Sequence, residues 1–229
     1  MSTKVIVSYD GTANEDDAIA LGRVFASAGA EVSLAYVRHT HEPDAARESL
    51  VQSEAAQLLE RGAELFGDPG VGRHVVTDRS TPEGLRALAV REGADVIVFC
   101  SDSHTAEGHI AIGNSAERLI EGGPAAIAIA PAGLADRGSV TVRQIVAIGD
   151  ASGGAQATAE SLAGALGATV APVANEETDL LVIDSRPEAE PGHISITASA
   201  AHAAEIATSS VLILPRGAQL SFGSLASAA

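Results

Sequence analysis

The sequence repeats part of itself at a fixed distance along the chain. Residues 94–133 align without a gap with residues 178–217, which lie 84 positions later. The match includes Gly108-His109-Ile110, which is answered by Gly192-His193-Ile194. Similarity at a fixed offset indicates a duplicated unit, and an offset of this length is too long for a solenoid repeat. The chain therefore predicts two related domains in tandem.

The second unit is shorter than the first. Asp10 aligns with Asp150 at an offset of 140, whereas the later match has an offset of 84, so about 56 residues are missing from the second unit. We place the first domain at residues 1–135 and the second at residues 136–229, with a linker at residues 133–139.

Apolar, β-branched runs alternate with segments of helical periodicity in both units. This alternation, with short joins, predicts the α/β class and open parallel sheets covered on both faces. We expect five strands in the first unit and four in the second, and a loose tail over residues 220–229. The predicted strands of the first unit are residues 4–8, 32–37, 73–77, 96–99 and 125–130.

Composition limits the classes of function. The formal net charge of −16 argues against nucleic acid, whose phosphates need a basic footprint. It also disfavours anionic membrane surfaces. Cys100 is the only cysteine, which excludes an intramolecular disulfide and a cysteine-based zinc site. No apolar run approaches the roughly 20 residues of a membrane span, so we expect a cytoplasmic protein.

Three features of the first unit resemble the universal stress protein family. The first strand ends in Asp10-Gly11-Thr12, and the second ends in Ala35-Tyr36-Val37. The family's nucleotide motif is Gly, two residues, Gly, nine residues, then Gly followed by Ser or Thr. Positions 100, 103, 113 and 114 of this chain keep that spacing. The chain is identified as a tandem member whose second copy is truncated.

The resemblance implies a Rossmann-like, adenine nucleotide alpha hydrolase-like fold with strand order 3-2-1-4-5 in the first copy. Family dimers join through their last strands, so residues 125–130 and 211–214 are expected to pair as an intramolecular pseudo-dimer, with homodimerisation as a further state. The implied function is a non-catalytic stress-response regulator whose cofactor is an adenine nucleotide, ATP or AMP with Mg²⁺. The residues that the resemblance assigns to the nucleotide are Asp10, Val37, Cys100, Ser103, Gly113, Asn114 and Ser115.

Residue identities in the motif depart from the family pattern. Cys100 and Ser103 replace glycines that would let backbone N–H groups approach phosphate oxygens, and Asn114 replaces Ser or Thr. The loop of residues 101–112 contains no Lys or Arg to balance a triphosphate. An alternative hypothesis is therefore a ligand-free protein-interaction module with a vestigial cleft and an unidentified protein partner. An ATP-hydrolysing or phosphotransfer enzyme is disfavoured, because no base, lysine or arginine finger is evident.

Further residues have both a chemical and a structural interpretation. Pro187 stands where the motif of the second copy needs a flexible glycine, so we expect no phosphate site there. His39-Thr40-His41-Glu42 is a candidate metal site but also an ordinary solvated loop. Cys100 is a candidate redox thiol near a helix N-terminus, or a small buried residue. Asp10 could contact a ligand or cap the following helix.

Overall fold

The structure, a computed structural model, describes residues 2–12, 14–39, 43–149 and 153–223. The first half contains strands β1 Lys4–Ser8, β2 Glu31–Arg38, β3 Gly72–Thr77, β4 Val96–Cys100 and β5 Ala126–Ala130, with helices α1 Glu15–Ser27, α2 Ala45–Phe66, α3 Thr81–Glu92 and α4 Asn114–Gly122. The second half contains β6 Gln144–Ile148, α5 Gly154–Leu166, β7 Thr169–Ala171, β8 Leu180–Ile183, α6 Ala198–Glu205 and β9 Ser210–Ile213.

The nine strands in the described ranges form one sheet, in the order β3-β2-β1-β4-β5-β9-β8-β6-β7. The predicted order 3-2-1-4-5 and the four-stranded second copy are confirmed. The predicted pairing of the last strands is confirmed as well, since Ala128 of β5 lies opposite Leu212 of β9. The β5–β9 pairing is antiparallel, and it joins the two parallel sets of strands into one mixed sheet. The carboxyl ends of the two sets of strands consequently lie on opposite edges.

Strand β5 shows why this junction forms. All five of its residues, Ala-Ile-Ala-Ile-Ala, are buried. Ile127 and Ile129 face one apolar cluster, while the alanines face a second cluster that includes Phe25 of α1. An uncharged apolar edge strand is an aggregation hazard when it is left open. Pairing with β9 removes that edge.

The repeated Gly-His-Ile segments have the same structural role in both halves. Gly108 and Gly192 have φ angles of +81° and +79°, which glycine adopts without strain. The Gly108 N–H donates to the backbone oxygen of Ala132 at 2.8 Å, and the Gly192 N–H donates to that of Arg216 at 3.0 Å. The two segments therefore make the same loop contact in both halves of the fold.

Two connecting segments are more ordered than the sequence indicates. The linker forms a 3-10 turn, Ala135–Arg137, and the Asp17 carboxylate accepts hydrogen bonds from the N–H groups of Gly133 and Ala135. The prediction of a loose tail is wrong for residues 220–223, because Leu220 is buried and Phe222 stacks on Phe25. Residues 224–229 lie outside the described part of the chain. Within the described ranges, no helix has the length and apolar character needed to cross a bilayer.

Candidate functional site

The strand order reverses between β1 and β4, and we refer to the region beyond the carboxyl ends of these two strands as the crevice. These strands pair in parallel, with Val7 opposite Val98, so their carboxyl ends share one edge of the sheet. Ligands of open α/β sheets bind at this kind of position. The Asn14 side chain donates to the backbone oxygen of Asp102 at 3.1 Å and so joins the loop after β1 to the loop after β4. The structure therefore brings the Asp10 and Cys100 ends of the predicted site together.

Glu15, which the sequence analysis did not single out, contacts the backbone on the β1 side of this crevice. Its carboxylate accepts hydrogen bonds from the backbone N–H groups of Asp10 and Gly11. The side chain is 7% exposed, and burial, followed by the nearby Asp10 charge, raises its pKa from 4.5 to about 8. The Glu15 carboxyl group thus occupies backbone N–H donors that a bound anion would otherwise use.

Helical spacing could have identified Glu15. Positions 15, 18, 22 and 25 lie on one face of a helix, and Ala18, Gly22 and Phe25 of that face are buried. Glu15 therefore occupies the buried stripe of α1. Asp16 beside it is exposed. A carboxyl group at a core position is the signal that separates Glu15 from the exposed Asp16. Asp17 is buried as well, but its carboxylate accepts from the Gly133 and Ala135 N–H groups instead.

Cys100 is partly buried at the end of β4. Desolvation by burial, with further contributions from the charges of Glu15 and Asp10, raises the pKa of its thiol from 9.0 to about 12. The effect is opposite to the lowering that a redox thiol at a helix N-terminus would need. The interpretation as a small buried residue is therefore the better one.

We expect Cys100 to react slowly with thiol reagents. Raising the pKa from 9.0 to about 12 reduces the thiolate fraction at pH 8 by about a thousandfold. The rate of reaction with a disulfide reagent should be compared for the native protein and the protein unfolded in urea. A native rate within threefold of the unfolded rate would show that burial does not protect this thiol.

The loop after β4 is held by a buried serine that recurs in the second half. The Ser101 hydroxyl donates to the backbone oxygen of Ala130 at 2.8 Å. In the second half, the Ser185 hydroxyl donates to the backbone oxygen of Leu214 at 2.7 Å. The predicted site residue Ser103 is exposed, and its Oγ lies 3.2 Å from Nδ1 of His104. The fold of this loop therefore depends on Ser101, whereas Ser103 is available at the surface.

The N-terminus of α4 differs from that of its counterpart α6. Gly113 precedes α4 with φ −73° and ψ 159°, and Thr197 precedes α6 with the same angles. The Thr197 hydroxyl accepts from the Ala200 N–H at 3.2 Å, whereas none of the described side chains caps α4. A β-carbon at Gly113 would meet no atom within 4 Å. The predicted residues Asn114 and Ser115 begin this helix, so uncapped N–H groups are present beside the crevice.

In the second half, a carboxylate lies at the equivalent strand end. Asp184 occupies the position that corresponds to Cys100, and it accepts from the Ala155 N–H at 2.8 Å. The charge therefore lies at the N-terminus of α5, where a phosphate would compete with it. A cavity of about 470 Å³ opens beside Asp184, with Pro187 and Thr197 among its lining residues. This geometry gives a physical reason for the expected lack of phosphate binding.

Other predicted residues contribute less to the crevice. The Val37 side chain is 6% exposed and packs against the Gly84 position of α3, so it belongs to the core. Asp10 does not cap α1, since its carboxylate accepts from the Thr12 N–H at 3.0 Å and the N-cap residue is Asn14. Residues 40–42 of the candidate metal site lie outside the described residues. Among the described residues, no three His, Cys, Asp or Glu side chains form a group that could hold a metal ion.

The charges near these strand ends bear on how many phosphate groups a ligand there could carry. Asp10, Asp102 and Glu15 surround it, and residues 101–112 contain no Lys or Arg. Arg61 of α2 lines a cavity of about 470 Å³ together with Gly11, Thr12 and Asp16 of the β1–α1 loop and of α1. The uncapped N-terminus of α4 suits a single phosphate group. The residues present do not suit a triphosphate.

The sequence of the first half matches a known family. Residues 1–131 match the sequence pattern of the Universal stress protein family. The chain belongs to this family. The structure of a universal stress protein from Archaeoglobus fulgidus DSM 4304 is similar, with a TM-score of 0.69 and 13% identity, over 95% of this chain and 100% of that chain.

A second solved structure supports the same fold. The putative universal stress protein from Pseudomonas aeruginosa UCBPP-PA14 has a TM-score of 0.60 and 14% identity, over 93% of each chain. At such identities the likeness shows the fold alone, but it extends across both halves of this universal stress protein. Comparison with curated proteins gives no significant match.

Proposed function

We propose that this universal stress protein is a cytoplasmic, non-catalytic stress-response regulator whose first half binds an adenine nucleotide with one phosphate group, such as AMP. The observation that carries this proposal is the uncapped N-terminus of α4 beside Gly113. Its N–H groups and the positive end of the helix dipole are suited to an anion. Asn114 and Ser115 begin that turn, and Ser103 presents a hydroxyl on the preceding loop.

The preference for a monophosphate follows from the charge balance. ATP would place several negative charges among Asp10, Asp102 and the partly ionised Glu15. Mg²⁺ bound to the nucleotide would offset part of that repulsion, with Asp10 and Asp102 as oxygen donors. Because α4 supplies one helix terminus and the loop supplies no cationic side chain, AMP needs less compensation than ATP. We therefore expect the order of affinity AMP above ATP in the absence of Mg²⁺.

The Gly113→Thr variant tests the proposal without disturbing the fold. The backbone angles of Gly113 match those of Thr197, and the space around it is open, so the new hydroxyl should cap α4 as Thr197 caps α6. We expect the free energy of unfolding to rise by about 0.5 kcal/mol. We also expect the stabilisation by AMP, about 2.7 kcal/mol at one hundred times the Kd for a ligand specific to the native state, to be lost. Thermal unfolding with millimolar AMP or ATP, with and without Mg²⁺, measures both effects.

The control is the reverse change, Thr197→Gly in the second half, which should leave AMP binding unchanged. If Gly113→Thr retains the full thermal shift with AMP, α4 does not hold the phosphate.

The second candidate function is a protein-interaction module with vestigial crevices. Glu15 and Asp184 favour it, because each places a carboxylate of the chain itself against backbone N–H groups at the end of a strand. No thermal shift of the wild-type protein at millimolar AMP would favour this candidate over the regulator that binds a nucleotide.

A further inference from the structure

Residues 218–223 lie along a groove between α1 and α5, which we name the α1–α5 groove. It is formed by Phe25, Gly29, Gly154, Thr158 and Ser161. Exposure alternates along the segment: Gln219, Ser221 and Gly223 are exposed, Leu220 is buried, and Ala218 and Phe222 are half-buried. This alternation is typical of an extended peptide that presents every second side chain to a surface.

The groove contacts the backbone of this segment through side-chain hydroxyls. The Leu220 N–H donates to Oγ1 of Thr158 at 3.0 Å, and the Phe222 N–H donates to Oγ of Ser161 at 2.8 Å. Thr3 donates to the backbone oxygen of Ser221 at 2.7 Å, so the first half of the chain also takes part. Contacts to backbone groups hold any extended peptide, whatever its side chains.

Two apolar contacts hold the side chains of this segment in the groove. The Phe222 ring stacks on that of Phe25 with centroids 5.9 Å apart and an interplanar angle of 20°. Leu220 belongs to the buried cluster that contains Ala159 and Leu162 of α5. The two side chains are two positions apart, so the groove selects apolar residues at alternate positions.

Glycines at both ends of the groove allow the segment to lie close. A β-carbon on Gly154 would be 1.9 Å from the Ala218 backbone oxygen, and one on Gly29 would be 1.8 Å from that of Gly223. No side chain fits at either position while the segment is in place. The groove is therefore shaped for a peptide backbone.

We propose that the α1–α5 groove is a peptide-recognition site that the chain fills with its own residues 218–223. When this segment leaves, the groove takes an extended segment of a partner protein with an aliphatic and an aromatic side chain at alternate positions. The segment follows β9 and adds no strand to the sheet. Its release therefore leaves the pairing of the described strands intact. This inference does not depend on nucleotide binding in the crevice.

The test uses the full chain with Leu220→Ala and Phe222→Ala combined, and a fluorescent peptide of the wild-type residues 217–223. Fluorescence anisotropy should show at least tenfold tighter binding of the peptide to the double variant than to the wild-type protein. Ser221→Ala, which changes only an exposed side chain, should behave as the wild type does. A peptide with alanine at both apolar positions should not bind. Equal affinities of the folded double variant and the wild type would overturn the proposal.

Hydrogen exchange on the wild-type protein tests the release if the double variant fails to fold. The amides of Leu220 and Phe222 should exchange at least tenfold faster than that of Leu212 in β9, through local opening. Exchange of all three only by global unfolding would overturn the proposal. Dimerisation of the wild-type chain by mutual exchange of residues 218–223 would also overturn it, since the occupant would then be a second copy rather than a partner protein.

Discussion

Replacing Leu212 by alanine is expected to lower the free energy of unfolding of the whole molecule by about 3 kcal/mol. Leu212 is fully buried in β9, lies opposite Ala128 across the junction of the two halves, and belongs to the same apolar cluster as Phe25. Alanine would leave a cavity where the two halves meet. Urea unfolding followed by circular dichroism measures the loss.

The same experiment tests whether the halves unfold together. Because one sheet and one buried cluster cross the junction, we expect a single transition in both the wild type and the variant. Ile206→Ala is the control, since Ile206 is 63% exposed and its loss should change the stability by less than about 0.5 kcal/mol. Two transitions, of which Leu212→Ala moves only one, would show that the halves are independent.

Replacing Glu15 by glutamine is expected to remove a large pH dependence of stability. The pKa of Glu15 is about 8 in the folded protein and near 4.5 in the unfolded chain. Between these values the folded state binds a proton that the unfolded state has lost, so the free energy of unfolding decreases as the pH rises from about 4.5 to 8. Above pH 8 this contribution is constant. The stability that protonated Glu15 supplies is thus present in acid and lost in alkali.

Glutamine keeps an oxygen that can accept from the Asp10 and Gly11 N–H groups but carries no charge. We therefore expect Glu15→Gln to be more stable than the wild type at pH 9, by on the order of 3 kcal/mol, and nearly equal to it at pH 5. Unfolding in urea at pH 5, 7 and 9 measures this difference. Asp16→Asn, which neutralises an exposed neighbour in the same turn, is the control and should show little pH dependence. Parallel curves for Glu15→Gln and the wild type would contradict a raised pKa.

Much of the fold could be predicted because it is encoded in short stretches of sequence. The apolar run of β5 and its repeat in β9 identified the strands, and the resemblance to the family implied their pairing. The physical reason for the pairing is that an uncharged edge has to be covered. The motif spacing placed Gly113 directly before α4, and the structure keeps it there. The boundaries were less accurate: the strand predicted at residues 32–37 is one residue longer at each end, since β2 spans Glu31–Arg38.

The candidate site was only partly predictable. The sequence identified the loops that form the crevice, but it placed Val37 among the binding residues although that side chain packs into the core. Glu15 was not singled out, because the three acidic residues of the first turn look equivalent until tertiary packing buries Glu15 and Asp17 and leaves Asp16 exposed. The raised pKa of the Cys100 thiol has the same origin, since both its burial and the nearby charges of Glu15 and Asp10 are set by tertiary packing.

By itself, the sequence determined the duplication, the α/β class, the strand order and the pairing of the two copies. The duplication is visible as a repeated segment, and the α/β class follows from periodicity and turn residues that act locally. The strand order and the pairing were implied by the resemblance to universal stress proteins. The tertiary structure alone decided the charge state of Glu15 and the filling of the α1–α5 groove by residues 218–223. Both depend on burial and on contacts between residues far apart in the chain, such as that between Thr158 and Leu220, and local patterns carry no record of them.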